Sequence, residues 1–69
     1  MIAADVGKHL FNKVKTPDGV GTLVGVEVDW NGRNFFPETA RLHVWYGTDN
    51  VQGGWVEHGY PLDEVSAAD

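Results

Sequence analysis

The chain has 69 residues, no cysteine, and ten acidic against five basic side chains, for a formal charge of −5. That length admits one small domain and no second; the missing cysteines remove disulfides and thiolate metal sites as supports, and the charge works against a phosphate backbone at long range. No apolar run approaches the roughly 20 residues that span a bilayer, and Met1–Asp5 lacks the basic flank and apolar run of a secretion signal, so a cytoplasmic setting is expected.

Nine glycines and three prolines punctuate short runs rich in Val, Leu, Trp and Tyr, with no sustained helical spacing, and the class read from this is all-β. A first strand is expected over residues 9–15, with Leu10 and Val14 on one face and Lys13 and Lys15 on the other, ended by the turn Thr16-Pro17-Asp18-Gly19. The run Val20 to Asp29 alternates Val20, Thr22, Val24, Val26 and Val28 against Leu23, Gly25, Glu27 and Asp29, with Gly21 and Gly25 permitting the coil or bulge of a sharply bent strand. Trp30-Asn31-Gly32-Arg33-Asn34 reads as a turn, and the segment up to Thr39 as a projecting loop that exposes Phe35 and Phe36.

Ala40 to Tyr46 forms a third strand, with Leu42, Val44 and Tyr46 facing the core and Arg41, His43 and Trp45 facing out, broken by Gly47-Thr48-Asp49-Asn50. After Gly53-Gly54 a short strand is expected from Trp55 to His58. Tyr60 to Val65 then reads as a 3₁₀ turn leading into a last short strand, and residues 66–69 as a tail.

The sequence Val14-Lys15-Thr16-Pro17-Asp18-Gly19-Val20-Gly21-Thr22 and the closing Tyr60-Pro61-Leu62-Asp63-Glu64-Val65 resemble the layout of small SH3-like barrels, over residues 6–65 of the single domain 1–69. The opening is similar to bacterial and phage barrels, including those with KOW-like segments. The resemblance implies a small five-stranded barrel and a binding module rather than an enzyme. Tyr60-Pro61 is also similar to the type II dihydrofolate reductases, an oligomeric reductase of similar layout. Their Val-Gln-Ile-Tyr run is not matched by Trp55-Val56-Glu57-His58-Gly59-Tyr60.

Chemistry-bearing clusters are sparse. His9, His43 and His58 lie on separate runs without the short spacings of metal ligands, Ser66 is the only serine, and the glycines lack the Lys-Ser/Thr ending of a phosphate loop. No catalytic residue, metal or cofactor is expected. Aromatics exceed what one small core can hold, so Trp30, Phe35, Phe36, Trp45 and Trp55, with Glu57, are taken as a binding surface rimmed by Asp29, Glu38 and Asp49. That surface suits a basic peptide, a methylated amine or a protein partner by stacking and cation–π contact. Phe35-Phe36-Pro37 can equally cap the end of the barrel, and the exposed aromatics also allow a homodimer. The alternative, nucleic-acid binding of KOW-like type, requires Lys8, Lys13, Lys15, Arg33 and Arg41 to cluster.

Overall fold

The computed structural model describes residues 1–47 and 54–68. Five antiparallel strands, β1 (Lys13–Thr16), β2 (Gly19–Trp30), β3 (Phe35–Tyr46), β4 (Trp55–Pro61) and β5 (Ser66–Ala67), form one sheet in the order β4-β3-β2-β1-β5. The all-β class and a 3₁₀ turn near the C-terminus, at Leu62–Glu64, are therefore observed. Among the described residues the ladders leave β4 and β5 as the two edges and do not close the sheet into a barrel.

Local chemistry accounts for the two hairpins. Between β1 and β2, Thr16 Oγ1 accepts from the Asp18 amide (3.1 Å) and donates to the Gly19 carbonyl (3.0 Å), while Gly19 takes φ 122°, which a side chain would resist. Between β2 and β3, Asn31 Oδ1 accepts from the amides of Arg33 (2.9 Å) and Asn34 (2.8 Å), and Gly32 takes φ 92°. The expected turn is present, but the loop beyond it is not: Phe35 and Phe36 already pair with Trp30 and Asp29. Residues 37–40 bulge opposite Val28, where Pro37 needs no ladder donor. Thr39 Oγ1 fastens this bulge, accepting from the Asp29 amide (2.8 Å) and donating to the Phe36 carbonyl (2.7 Å).

Val14, Leu23, Leu42, Val44 and Val65 are fully buried and, with Val6, Ala40, Tyr46 and Tyr60, make the core. Strand β3 delivers Leu42, Val44 and Tyr46 inward as its alternation predicts. Strand β2 does not keep one alternation, because a register shift between Leu23 and Gly25 puts both Leu23 and Val26 on the core side, opposite Val44 and Leu42. Of the residues expected to open the first strand, His9 instead ends a one-turn helix, α1 (Val6–His9), which drops Val6 onto the core, and 10–12 turn the chain into β1. Residues 66–67, expected in a tail, pair with β1 as β5. Among the described residues no helix is long and apolar enough to cross a membrane.

Candidate functional site

An apolar groove of about 300 Å³ runs between the N-terminal turn and the far half of the β2–β3 hairpin. Val6, Leu10, Val26, Val28, Phe35 and Ala40 line it, and among the described residues no charged side chain does. It lies where the bulge opposite Val28 interrupts the β2–β3 ladder, and the one-turn α1 leaves the valines there partly uncovered. Val26 stays exposed although it faces the side of the sheet that carries the core.

Trp30 stands beside the groove, on Phe35 of its wall. It is paired across the ladder with Phe35, and the two rings stack at 5.9 Å and 25°, with 60% and 63% of their surfaces open to solvent. Of the cations at this end, Lys8 pairs with Asp5 at 3.1 Å and Arg41 donates to the carbonyls of Thr39 (3.4 Å) and Ala40 (3.0 Å), while Arg33, in the turn between Trp30 and Phe35, has no ion-pair partner among the described residues. Among the described residues, Asp29 and Glu38 have no ion-pair partner. The groove is thus apolar along its length; Asp29, paired with Phe36, takes the opposite face of the sheet, and Glu38 follows Pro37 of the groove wall in the bulge.

The expected six-residue surface is not one patch. Phe36 neighbours Phe35 on the strand and so takes the opposite face. Trp45 and Trp55 sit at the other end of β3, about 25 Å from Phe35 by the rise of the paired strand β2 from Thr22 to Trp30. They also point to opposite faces, because Trp45 pairs with Val56 and Trp55 with Tyr46, whose ring centroid lies 5.4 Å from that of Trp55. Trp45 shares the outward face with Arg41 and His43, but its indole lies over Gly47 and Gly54 and is half-buried, which leaves little of it for a ligand. Glu57 is exposed opposite Val44. Asp49 lies outside the described residues. Sequence reasoning passed over Phe11, whose ring is 74% exposed on a backbone held at φ 68°.

No known protein family, characterised protein or solved structure matches the chain.

One polar network runs from the buried tyrosines Tyr46 and Tyr60 to the surface. Tyr46 OH contacts Thr16 Oγ1 and lies 2.6 Å from Tyr60 OH, which donates to Asp18 Oδ2 at 2.5 Å. Burial, then the bond to Asp18, pushes the Tyr60 phenol well above the usual tyrosine range. This chain of hydroxyls fastens the β1–β2 turn onto β3 and β4. Tyr60 holds its proton tightly at neutral pH, which suits a structural tie rather than a proton donor. Among the described residues no three His, Cys, Asp or Glu side chains converge as a metal cluster: His9 ends α1, apart from His43 and His58.

Proposed function

We propose that the chain is a non-enzymatic interaction module of the small SH3-like kind that docks a segment of a partner protein in the groove beside Trp30 and Phe35. The observation that carries this reading is the stacked Trp30–Phe35 pair, left mostly exposed at the mouth of an apolar groove. A protein this small can ill spare two aromatics for solvent, and exposed aromatics beside a concave apolar surface are the usual anchors of protein recognition. The occupant fits as an extended segment with an aliphatic anchor for the groove and a flanking Lys or Arg for Glu38, which follows Pro37 of the groove wall, in keeping with the chain's charge of −5.

Nucleic acid fits less well. Lys15 pairs with Val20 at one end of β2, while Arg33 lies beyond Trp30 at the other, so the five cations do not cluster.

Selection from a random dodecapeptide display library tests the reading. Enriched peptides are expected to carry an aliphatic residue beside Lys or Arg. They should lose about 2 kcal/mol of affinity, roughly thirtyfold, on Trp30→Ala, a change that leaves the core untouched. No enrichment, or peptides that bind Trp30→Ala and the parent chain equally, overturns it.

A further inference from the structure

Two imidazoles meet on the face of the sheet that carries Arg41 and Trp45. His43 on β3 and His58 on β4 approach with their Nδ1 atoms 2.5 Å apart and their rings edge-on, centroids 4.4 Å apart at 89°. Their pairing is a product of the ladder. Between Leu42↔Tyr60 and Val44↔Glu57 strand β4 spends two residues, His58 and Gly59, against the single His43, and Gly59 takes φ 104° to do so. The bulge sets His58 beside His43 on the outward face.

Two facing ring nitrogens at this distance can hold only one proton between them, so one of them presents a lone pair to the other. On the far side of His43, Nε2 is buried with no hydrogen-bond partner, and Glu27 Oε1 from β2 stands 3.7 Å away. Three strands thus build a carboxylate, an imidazole and a second imidazole in a row. This is the order in which metal sites arrange an outer carboxylate, the histidine it orients, and the atom that histidine faces.

We propose that His43 and His58 chelate a divalent transition cation such as Zn²⁺ or Cu²⁺ through their Nδ1 atoms, with Glu27 orienting His43 from its Nε2 side. Imidazole pairs select Zn²⁺, Cu²⁺ and Ni²⁺ over Mg²⁺ and Ca²⁺, which prefer oxygen. Metal–nitrogen bonds of about 2.0–2.1 Å require the two nitrogens to part by roughly 0.4–0.9 Å. The exposed ring of His58 makes that shift by side-chain rotation alone. With two protein ligands, water fills the remaining positions, and the site is an exchangeable one that joins the edge strand β4 to β3. The sequence hid it because its ligands lie 15 residues apart on different strands.

Titration of the full chain with Cu²⁺ and with Zn²⁺, followed by calorimetry and by copper electron paramagnetic resonance, tests the site, with Mg²⁺ as the control cation. One Cu²⁺ per chain is expected, with hyperfine coupling to two nitrogens. Affinity should fall at least tenfold in His58→Ala, whose exposed side chain is not needed for folding, fall less in Glu27→Gln, and stay unchanged in His9→Ala. Zn²⁺ should raise the thermal midpoint of the parent chain and not that of His58→Ala, because it binds only the state in which the two strands are paired. Equal copper binding by the parent and His58→Ala, or no binding by the parent, overturns the proposal and leaves the groove reading untouched.

Discussion

Tyr60 shows how much one side chain carries in a core this small. Its ring is part of the apolar cluster and its hydroxyl is the middle of the network from Tyr46 to Asp18. Because its folded-state affinity for the proton is raised, the native state binds more protons than the unfolded chain once the pH passes the ordinary tyrosine value of about 10. The stability this group contributes is complete below that value and declines as the pH rises above it, by at most about 1.4 kcal/mol per pH unit. Urea midpoints measured from pH 8 to 11 should therefore fall steeply above pH 10 in the parent chain. Tyr60→Phe should be less stable at pH 7 by about 1–2 kcal/mol, since Asp18 and Tyr46 lose a partner, yet show a flatter alkaline limb. A Tyr60→Phe limb as steep as the parent's would assign the alkaline loss to other groups. Little of this was legible in the sequence: Tyr60-Pro61 marked a place in the chain, while the partners Thr16, Asp18 and Tyr46 come from distant positions.

Among the elements, legibility followed local periodicity. The alternation of Ala40, Leu42, Val44 and Tyr46 named the core face of β3 correctly, because a period of two is a property of the strand itself. The same logic misled in β2, where five residues at alternate positions from Val20 to Val28 looked like one face, until the shift at Leu23/Gly25 exchanged the faces midway. One-turn α1 offered no period to read, and Pro37 made a paired strand look like a loop. The two strand glycines, grouped together from sequence, do different work. A Cβ on Gly21 would stand 2.8 Å from the Trp45 carbonyl oxygen and 3.0 Å from Tyr46 Cε1, and against Val44 Cγ1, whereas at Gly25 the nearest atom is His43 Cβ at 3.8 Å. Gly21→Ala should cost about 1–3 kcal/mol by overpacking, and Gly25→Ala should change stability by about 0.5 kcal/mol or less in chemical denaturation. Equal costs at the two positions would show that β2 is not pressed against β3 at Gly21.

At the largest scale, the molecule is long and narrow, 42 × 23 × 19 Å, and this shape separates the aromatics that composition had gathered into one patch. Surplus aromatics could be counted from sequence, but their division between the two ends and two faces of β3 depends on register, which no count contains. The groove is the product of that division, and the charge of −5 acts on it from every direction. A ligand of the predicted basic and aliphatic kind is drawn in by the whole field but held by the groove. Rising salt should then slow its association several-fold between 20 and 300 mM while leaving dissociation nearly constant. Trp30→Ala should do the reverse, speeding dissociation with association almost unchanged, since it removes a contact and no charge. Stopped-flow measurement of both rates separates the two contributions. Dissociation that quickens with salt as much as association slows would place the basic flanks in buried ion pairs inside the site, and the carboxylate of Glu38 would then be a contact rather than part of a guiding field.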